Sequence, residues 1–384
     1  MICGDPFQLF VRIASRHALQ ARSLKTDVRR LVMLIRTRAP VRIDFAGGWS
    51  DVALFTEHSK GLVVNGAINR YAYATLRCER QITQDDSVEL QRILDKSIRI
   101  YSADFDTFIE ADDVRQLEYD GNIDLVKAAV RRMSIQIGGF DLITQSTAPP
   151  GSGLGTSASM GVALVGALGA LKEATYLPYE YAELASTIER HELGILGGKQ
   201  DHYASALGGI HFMEFQDEEV KTSPLRCPPH IRYELEKNLV LCYTGQSRLS
   251  GSIHQNVTDA YKSEEPSVRN ALEALKTTAE ATKTALMRGR LTEFGELLTE
   301  NWNNQKKLHP SVTNDQIDRL FKIAMTNGAT GGKACGAGGG GCLLFYCEPT
   351  REHRVRQKLE DAGARIIDVN FDFDGLQMWK VSND

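Results

Sequence analysis

Apolar and polar residues alternate with period two through Val41-Arg42-Ile43-Asp44-Phe45, and the alternation breaks at Ala46-Gly47-Gly48-Trp49-Ser50-Asp51. This predicts a strand feeding a tight loop. Residues 61–77 read as two more strands, with a turn near Asn65-Gly66 and alternation through Tyr71-Ala72-Tyr73-Ala74-Thr75-Leu76. The charged, weakly patterned stretch 85–118 reads as a hairpin region. Residues 123–133 predict a helix, 139–147 a strand, and 160–172 a helix rich in small residues. A second amphipathic helix covers 179–192, with Leu184 and Ile188 on one face. Further on come a strand at 239–243, helices at 266–288, 291–303 and 314–327, and a closing set of strands. A change of domain is expected between Ile210 and Pro228, around Asp217-Glu218-Glu219. The pattern is α+β in both halves, giving an N-terminal domain over 33–215 and a C-terminal domain over 216–384.

Size and charge narrow the classes. The 384 residues suggest two domains of ordinary size, and the net charge of −4 argues against general nucleic-acid or anionic-membrane binding. No apolar run approaches the roughly 20 residues of a membrane-spanning helix. The seven cysteines form no C-x-x-C pair and no His-linked metal pattern, so they read as reduced thiols in a cytoplasmic protein. Residues 1–32 stand apart as a leader carrying Arg12, Arg16, Arg22, Lys25, Arg29 and Arg30 without a continuous apolar core. Two readings fit it: a transit peptide, or a start site that lies in fact at Met33, the one favoured here. Oligomeric state is not written in one sequence, and a homodimer is left open.

Three stretches carry chemistry. The first is Pro149-Pro150-Gly151-Ser152-Gly153-Leu154-Gly155-Thr156-Ser157-Ala158-Ser159, directly ahead of the 160–172 helix. Backbone N–H groups of such a loop converge on one point and the helix adds its positive end, so a phosphate is the natural guest. Thr156 and Ser157 put hydroxyls at the helix start, where they could cap it or reach a phosphate-bound metal. The plainer alternative is a tight turn capping a core helix. A P-loop is excluded because Thr156, not lysine, follows Gly155; a dinucleotide fingerprint is excluded because the spacing is G-x-G-x-G. The second stretch pairs Glu189, at a helix end, with Asp201 in the loop Gly197-Gly198-Lys199-Gln200-Asp201-His202-Tyr203. Glu189 could hold Mg²⁺ against phosphate oxygens while Asp201 accepts a hydroxyl proton and Lys199 adds positive charge. Solvated surface carboxylates would look the same in sequence. The third is Gly331-Gly332-Lys333-Ala334-Cys335-Gly336-Ala337-Gly338-Gly339-Gly340-Gly341-Cys342 before the apolar Leu343-Leu344-Phe345-Tyr346. Four consecutive glycines carry a large entropic penalty and imply that something lies against that backbone.

Arg38-Ala39-Pro40-Val41-Arg42-Ile43-Asp44-Phe45-Ala46-Gly47-Gly48, then Pro149 to Ser159, then Lys333 to Cys342 resemble, in that order, the three motifs of the GHMP kinase superfamily, named for galactokinase, homoserine kinase, mevalonate kinase and phosphomevalonate kinase. The resemblance runs from Met33 to Asp384. Within the superfamily it is closest to D-glycero-D-manno-heptose 7-phosphate kinases, through Gly198-Lys199-Gln200-Asp201, Tyr243-Thr244-Gly245-Gln246-Ser247-Arg248 and Gly331-Gly332-Lys333. The kinase domain of L-fucokinase is similar through its Gly-Gly-Trp-Ser/Thr-Asp segment, matched by Gly47 to Asp51. The heptose kinases usually carry a small residue at the place of Trp49.

The resemblance implies a two-domain α+β fold with the site in the cleft between domains, ATP and Mg²⁺ as cofactors, and a sugar or sugar phosphate as small-molecule partner. It implies an ATP site at Pro150, Gly151, Ser152, Gly153, Leu154, Gly155, Thr156 and Ser157, joined by Gly338 and Gly339. Metal ligation would fall to Ser157 and Glu189, catalysis to Asp201 and Arg42. Sugar contacts would come from Gly47, Gly48, Asp51, Lys199 and Arg248, with Lys306 and Lys307 as further candidates for a second phosphate. The implied activity is phosphorylation of a sugar's anomeric hydroxyl, with heptose 7-phosphate as acceptor. The alternatives are an unphosphorylated sugar such as L-fucose, or a sugar- or nucleotide-binding protein without catalysis.

Overall fold

A computed structural model describes residues 29–82, 92–93, 97–133, 139–246 and 250–381. Most of the expected leader lies outside them, but the first strand, β1 (Arg29–Ala46), already opens at Arg29. Beside it runs β2 (Gly61–Ile82), one continuous strand rather than two. The Asn65-Gly66 pair makes no turn: Asn65 faces Asp44 on β1, and Gly66 faces Ile43. Glycine is needed there for another reason. A Cβ at Gly66 would lie 3.0 Å from the Phe371 ring and 3.1 Å from that of Phe45, so any side chain there would have to push the two rings aside by a few tenths of an ångström.

Among the described residues, nine strands make one sheet, ordered β13-β1-β2-β6-β4-β5 along its main path. The members are β3 (Arg92–Ile93), β4 (Ile98–Ser102), β5 (Thr107–Ala111), β6 (Phe140–Ser146), β7 (Ile210–Gln216), β8 (Glu219–Pro224) and β13 (Gln377–Val381). The expected hairpin region contains the antiparallel pair β4–β5. The expected domain change at 215/216 falls inside β7, and β8 continues the same sheet by pairing with β7 from Gln216↔Glu219 onward. The acidic residues there are the hairpin turn. At the other end of the chain β13 returns to pair with β1. A second, antiparallel sheet runs β10-β11-β9-β12, from β9 (Leu239–Tyr243), β10 (Ala329–Ala334), β11 (Cys342–Cys347) and β12 (Arg365–Ile367).

The helices, in chain order, are α1 (Ala53–Thr56), α2 (Asp124–Arg132), α3 (Thr156–Leu171), α4 (Pro178–Thr187), α5 (Gln200–Leu207), α6 (Pro229–Asn238), α7 (Ser250–Lys262), α8 (Pro266–Met287), α9 (Leu291–Gln305), α10 (Asp315–Thr326) and α11 (Glu352–Asp361). Among the described residues no helix is long and apolar enough to cross a membrane. The small residues of α3 let it sink into the core, and 13 of its 16 residues are buried. It packs on β1 and β2. Phe45, at the end of β1, meets Phe294 and Phe371 edge-on at 5.4 and 6.1 Å. Such pairs contribute about 0.5–1.5 kcal/mol each beyond burial and fix where β1 delivers the loop that follows it. The amphipathic segment expected over 179–192 ends as α4 at Thr187 and passes into a π-helical turn, Ile188–Glu192. Such wide turns occur often at functional sites.

Candidate active site

The glycine-rich loop, the end of β1 and the start of α5 meet at one cleft of about 430 Å³. Pro150, Gly151, Ser152, Gly153, Gly155, Thr156 and Ser157 line it. The loop ends at Gly155, the N-cap of α3, in the left-handed region at φ 72°. No side-chain oxygen caps that helix, and its positive end faces the cleft. A Cβ at Gly155 would come within 2.9 Å of the Asp201 carboxylate. Leu154 departs from the expected set: it is fully buried, and its carbonyl accepts from the Arg42 backbone N–H at 3.0 Å. It anchors the loop and is not among the residues that line the cleft.

The second glycine run packs on the first. Cys342 N–H donates to the Ser152 carbonyl at 2.8 Å, and Gly336 lies against the Gly153 carbonyl. Of the four consecutive glycines, Gly341 accommodates the first glycine-rich loop, since a Cβ there would lie 2.6 Å from the Ser152 carbonyl, whereas Gly338 fits against the Val312 carbonyl. Gly338 lines the cleft. Gly339 is not among the residues that line it: its N–H bonds Val312 and its carbonyl accepts from Asn314.

Arg42 forms a two-pronged pair with Asp201. Its Nε donates to Oδ1 at 2.6 Å and its Nη2 to Oδ2 at 2.7 Å, while Nη1 bonds the Gly153 carbonyl at 2.6 Å. Burial opposes the guanidinium charge, but Asp201 and Asp44 outweigh it and raise its pKa. Asp201 sits in the first turn of α5 rather than in a loop, and its side chain is 22% exposed, open to the cleft. Asp51 is buried beside it and accepts from the Gln200 backbone N–H and from Gln200 Nε2, both at 3.2 Å. Burial, then repulsion from Asp201, pushes the Asp51 carboxyl up to about 6.

Ser157 Oγ donates to Glu189 Oε1 at 2.5 Å, and His202 Nε2 lies 2.7 Å from Glu189 Oε2. Burial alone would raise the Glu189 pKa, but the His202 hydrogen bond and charge, with Ser157, hold it below its usual value. A charged carboxylate and a hydroxyl, side by side at the start of α3, are hard oxygen donors. Among the described residues no set of three His, Cys, Asp or Glu could hold a metal. The pair thus fits an ion that takes most ligands from phosphate and water, as Mg²⁺ does.

Several expected sugar contacts fall elsewhere. Gly48 and Asp51 line the cleft, but Gly47 does not; its N–H donates to Asn301 Oδ1 at 2.9 Å. Lys199 is 4% exposed and turned away, its Nζ bonding Glu218 Oε2 at 2.6 Å and Glu183 at 3.3 Å. Two carboxylates outbid the cleft for its charge. Lys307 bonds Asn304 and Lys306 lies over the Trp302 ring, neither in the cleft. Arg248 lies outside the described residues.

Sequence reading missed Gln200, His202, His254 and the buried pair Lys333–Asp44. Lys333 Nζ bonds Asp44 Oδ2 at 2.7 Å and the Asp44 carbonyl at 3.0 Å. The alternation Arg42-Ile43-Asp44 already put both polar side chains on one face of β1, which was the available signal for Asp44. Nothing in sequence tied His254 to this place.

Comparison with known proteins bears on the family of the chain. Residues 124–209 match the GHMP kinases N terminal domain and residues 282–365 the GHMP kinases C terminal family. The chain is 33% identical over 355 residues to the D-glycero-alpha-D-manno-heptose 7-phosphate kinase of Campylobacter jejuni, covering 90% of this chain and 99% of that protein. It is 28% identical over 331 residues to the bifunctional fucokinase/GDP-fucose pyrophosphorylase of Arabidopsis thaliana, of which it spans 31% while 85% of this chain is covered. Among solved structures it superposes on a D-glycero-D-manno-heptose 1-phosphate kinase from Bacteroides thetaiotaomicron, with TM-score 0.73 and 32% identity over 91% of this chain and all of that one.

Proposed function

The chain belongs to the GHMP kinases, and on that premise we propose that it phosphorylates the anomeric C1 hydroxyl of a sugar in the cytoplasm, with D-glycero-D-manno-heptose 7-phosphate as acceptor and the 1,7-bisphosphate as product, on a route to nucleotide sugars. The family uses ATP, and the chain is an ATP-dependent phosphotransferase acting on a sugar hydroxyl. The observation that carries the residue roles is the Arg42–Asp201 pair, set between the phosphate loop and Asp51. The heptose acceptor is supported by the 33% relative, matched over 99% of its length.

Phosphoryl transfer runs through a loose transition state, so positioning and charge balance supply most of the rate. The loop amides and the open end of α3 hold the triphosphate of ATP. Ser157 and Glu189 are the residues that would hold Mg²⁺, which when bound neutralises phosphate charge. Arg42 engages both Asp201 oxygens, but a carboxylate has about four acceptor positions. The remaining ones take the acceptor hydroxyl, orient it toward the γ-phosphate and receive its proton. Arg42 then balances charge as the phosphoryl group moves. Asp51 and Gln200 hold other hydroxyls of the acceptor.

A second reading, an unphosphorylated sugar such as L-fucose, is favoured by the withdrawal of Lys199 into its ion pairs. ATP consumption with Mg²⁺ against heptose 7-phosphate, L-fucose, D-mannose, D-galactose and mevalonate separates the two. Preference for the heptose phosphate is the expected result. Preference for a free sugar would move the acceptor to the second reading, and silence on every sugar would remove the kinase assignment.

A further inference from the structure

Two aromatic rings of the cleft are under-bonded. Trp49 and His254 both line it, with ring centroids 4.5 Å apart and planes inclined by 39°. Trp49 Nε1 and His254 Nδ1 are buried, and neither has a hydrogen-bond partner among the described residues. Leaving a buried donor or acceptor unpaired costs about 1–3 kcal/mol, so two orphans on one pair of touching rings need an explanation.

The backbone adds a second irregularity. Trp49 sits at φ 82°, in the left-handed region that a bulky side chain rarely adopts. Such strain costs on the order of 1–3 kcal/mol and persists only where the surroundings over-determine it. They do so here. Ser50 N–H bonds the Gly47 carbonyl at 3.1 Å, Val52 N–H bonds the Trp49 carbonyl at 3.2 Å, and Leu62 N–H bonds Ser50 Oγ at 3.0 Å. The loop spends this strain to hold one indole at the cleft.

A core role alone does not account for the arrangement. Trp49 does pack with Val52, Phe55 and Ile253. Trp302 is also buried with an indole N–H that has no partner among the described residues, but it does not line the cleft and its φ is not positive. What sets Trp49 apart is the coincidence of strain, cleft position and a second orphaned ring nitrogen against it.

The surrounding chemistry selects the guest. Asp51, Asp201 and Glu189 line the same cleft, and the charges of Asp201 and Glu189 act on His254. Burial outweighs them and keeps the imidazole below its usual pKa, so it stays neutral, with one donor and one acceptor nitrogen. A neutral, hydroxyl-bearing ring suits this wall, and a phosphate does not. We propose that Trp49 and His254 read the acceptor, the indole N–H and imidazole Nδ1 each taking a hydroxyl of the sugar other than the one phosphorylated, with the ring faces against its C–H groups. They are specificity-determining residues of the acceptor subsite. The inference rests on the sugar-kinase reading.

Steady-state kinetics of the full chain test it, with wild type, His254→Ala, His254→Asn and Trp49→Phe compared on whichever sugar wild type prefers. The expected result is a roughly tenfold rise in acceptor KM for His254→Ala, the loss of about one hydrogen bond to a neutral group, with ATP KM within about twofold. Asparagine, which restores a donor and an acceptor, recovers part of it. Trp49→Phe keeps a ring but loses the N–H, and raises acceptor KM without moving ATP KM. Sugar added without ATP should change the tryptophan fluorescence of wild type, and that change should vanish in Trp49→Phe, a readout independent of turnover. Acceptor and ATP KM rising together, or neither rising, would overturn the inference while an active wild type left the kinase reading standing. A wild type silent on every sugar, with no fluorescence response, would sink both.

Discussion

Asp201 and Arg42 lie 159 positions apart in sequence yet form a two-pronged ion pair in the cleft. Asp201→Asn keeps the size of the side chain and removes its capacity to take a proton. Its kcat should fall by roughly 10²-fold or more, while ATP binding, followed by calorimetry, stays within a few-fold. Turnover near wild type would remove Asp201 from the reaction. Asp51 makes a prediction of opposite sign for stability and function. Its folded pKa of about 6 lies above the ordinary carboxylate value, so the folded chain binds the proton more tightly than the unfolded one. Asp51 therefore costs nothing below about pH 4, and destabilises progressively as pH rises toward 6. Asp51→Asn should be more stable to unfolding than wild type at pH 7.5, by on the order of 1–3 kcal/mol, and melt correspondingly higher, with the gap closing by pH 4. The same variant should lose acceptor affinity. Equal melting at both pH values would show that Asp51 is not held in the strained state its burial implies. Residue identities in these motifs were legible in sequence because glycine, serine and acid spacing is local. Lys199 was misread because Glu183 and Glu218, which capture it, come from distant segments.

At the scale of elements, the period-two pattern identified β1 and the small-residue run identified α3. What it could not show was pairing. Asn65-Gly66 has the composition of a turn, yet β1 on one side and β7 on the other hold it extended. The packing of Phe45 and Phe371 explains its glycine. Likewise the acidic piece at 217–219 marks a hairpin turn within one sheet, because β8 finds its partner in β7. The Lys199 cluster ties α4 and the β7–β8 turn to the start of α5, the helix that carries Asp201. Lys199→Met should lower kcat and stability together, since it frees the end of α5. It should shift KM for a phosphosugar and for its unphosphorylated counterpart by the same factor. A selective loss of the phosphosugar alone would return Lys199 to the acceptor site.

Across the whole molecule, the two sheets are joined beneath the cleft. Lys333 on β10 reaches Asp44 on β1, both side chains essentially inaccessible to water, and the two glycine runs interlock above them. Removing one member of a buried pair typically costs about 3–5 kcal/mol because the other charge is left uncompensated. Lys333→Met should therefore melt well below wild type, with a smaller deficit when Asp44→Asn is added, as read by thermal denaturation. An unchanged melting temperature would mean that the pair does not lock the sheets. Sequence motifs pointed to a cleft between halves, but the return of β13 to β1 and this buried pair depend on contacts about 290 and more residues apart. Local patterning carries no record of such contacts.

The central claim is that this cleft delivers the γ-phosphate of ATP to the anomeric hydroxyl of a sugar. Phosphorus NMR of the product formed from ATP, Mg²⁺ and heptose 7-phosphate tests it most directly. The account predicts a new resonance coupled to the C1 proton while the 7-phosphate signal persists, absent with Asp201→Asn. A phosphate on any other carbon, or ADP accumulating with no new sugar phosphate, would contradict it.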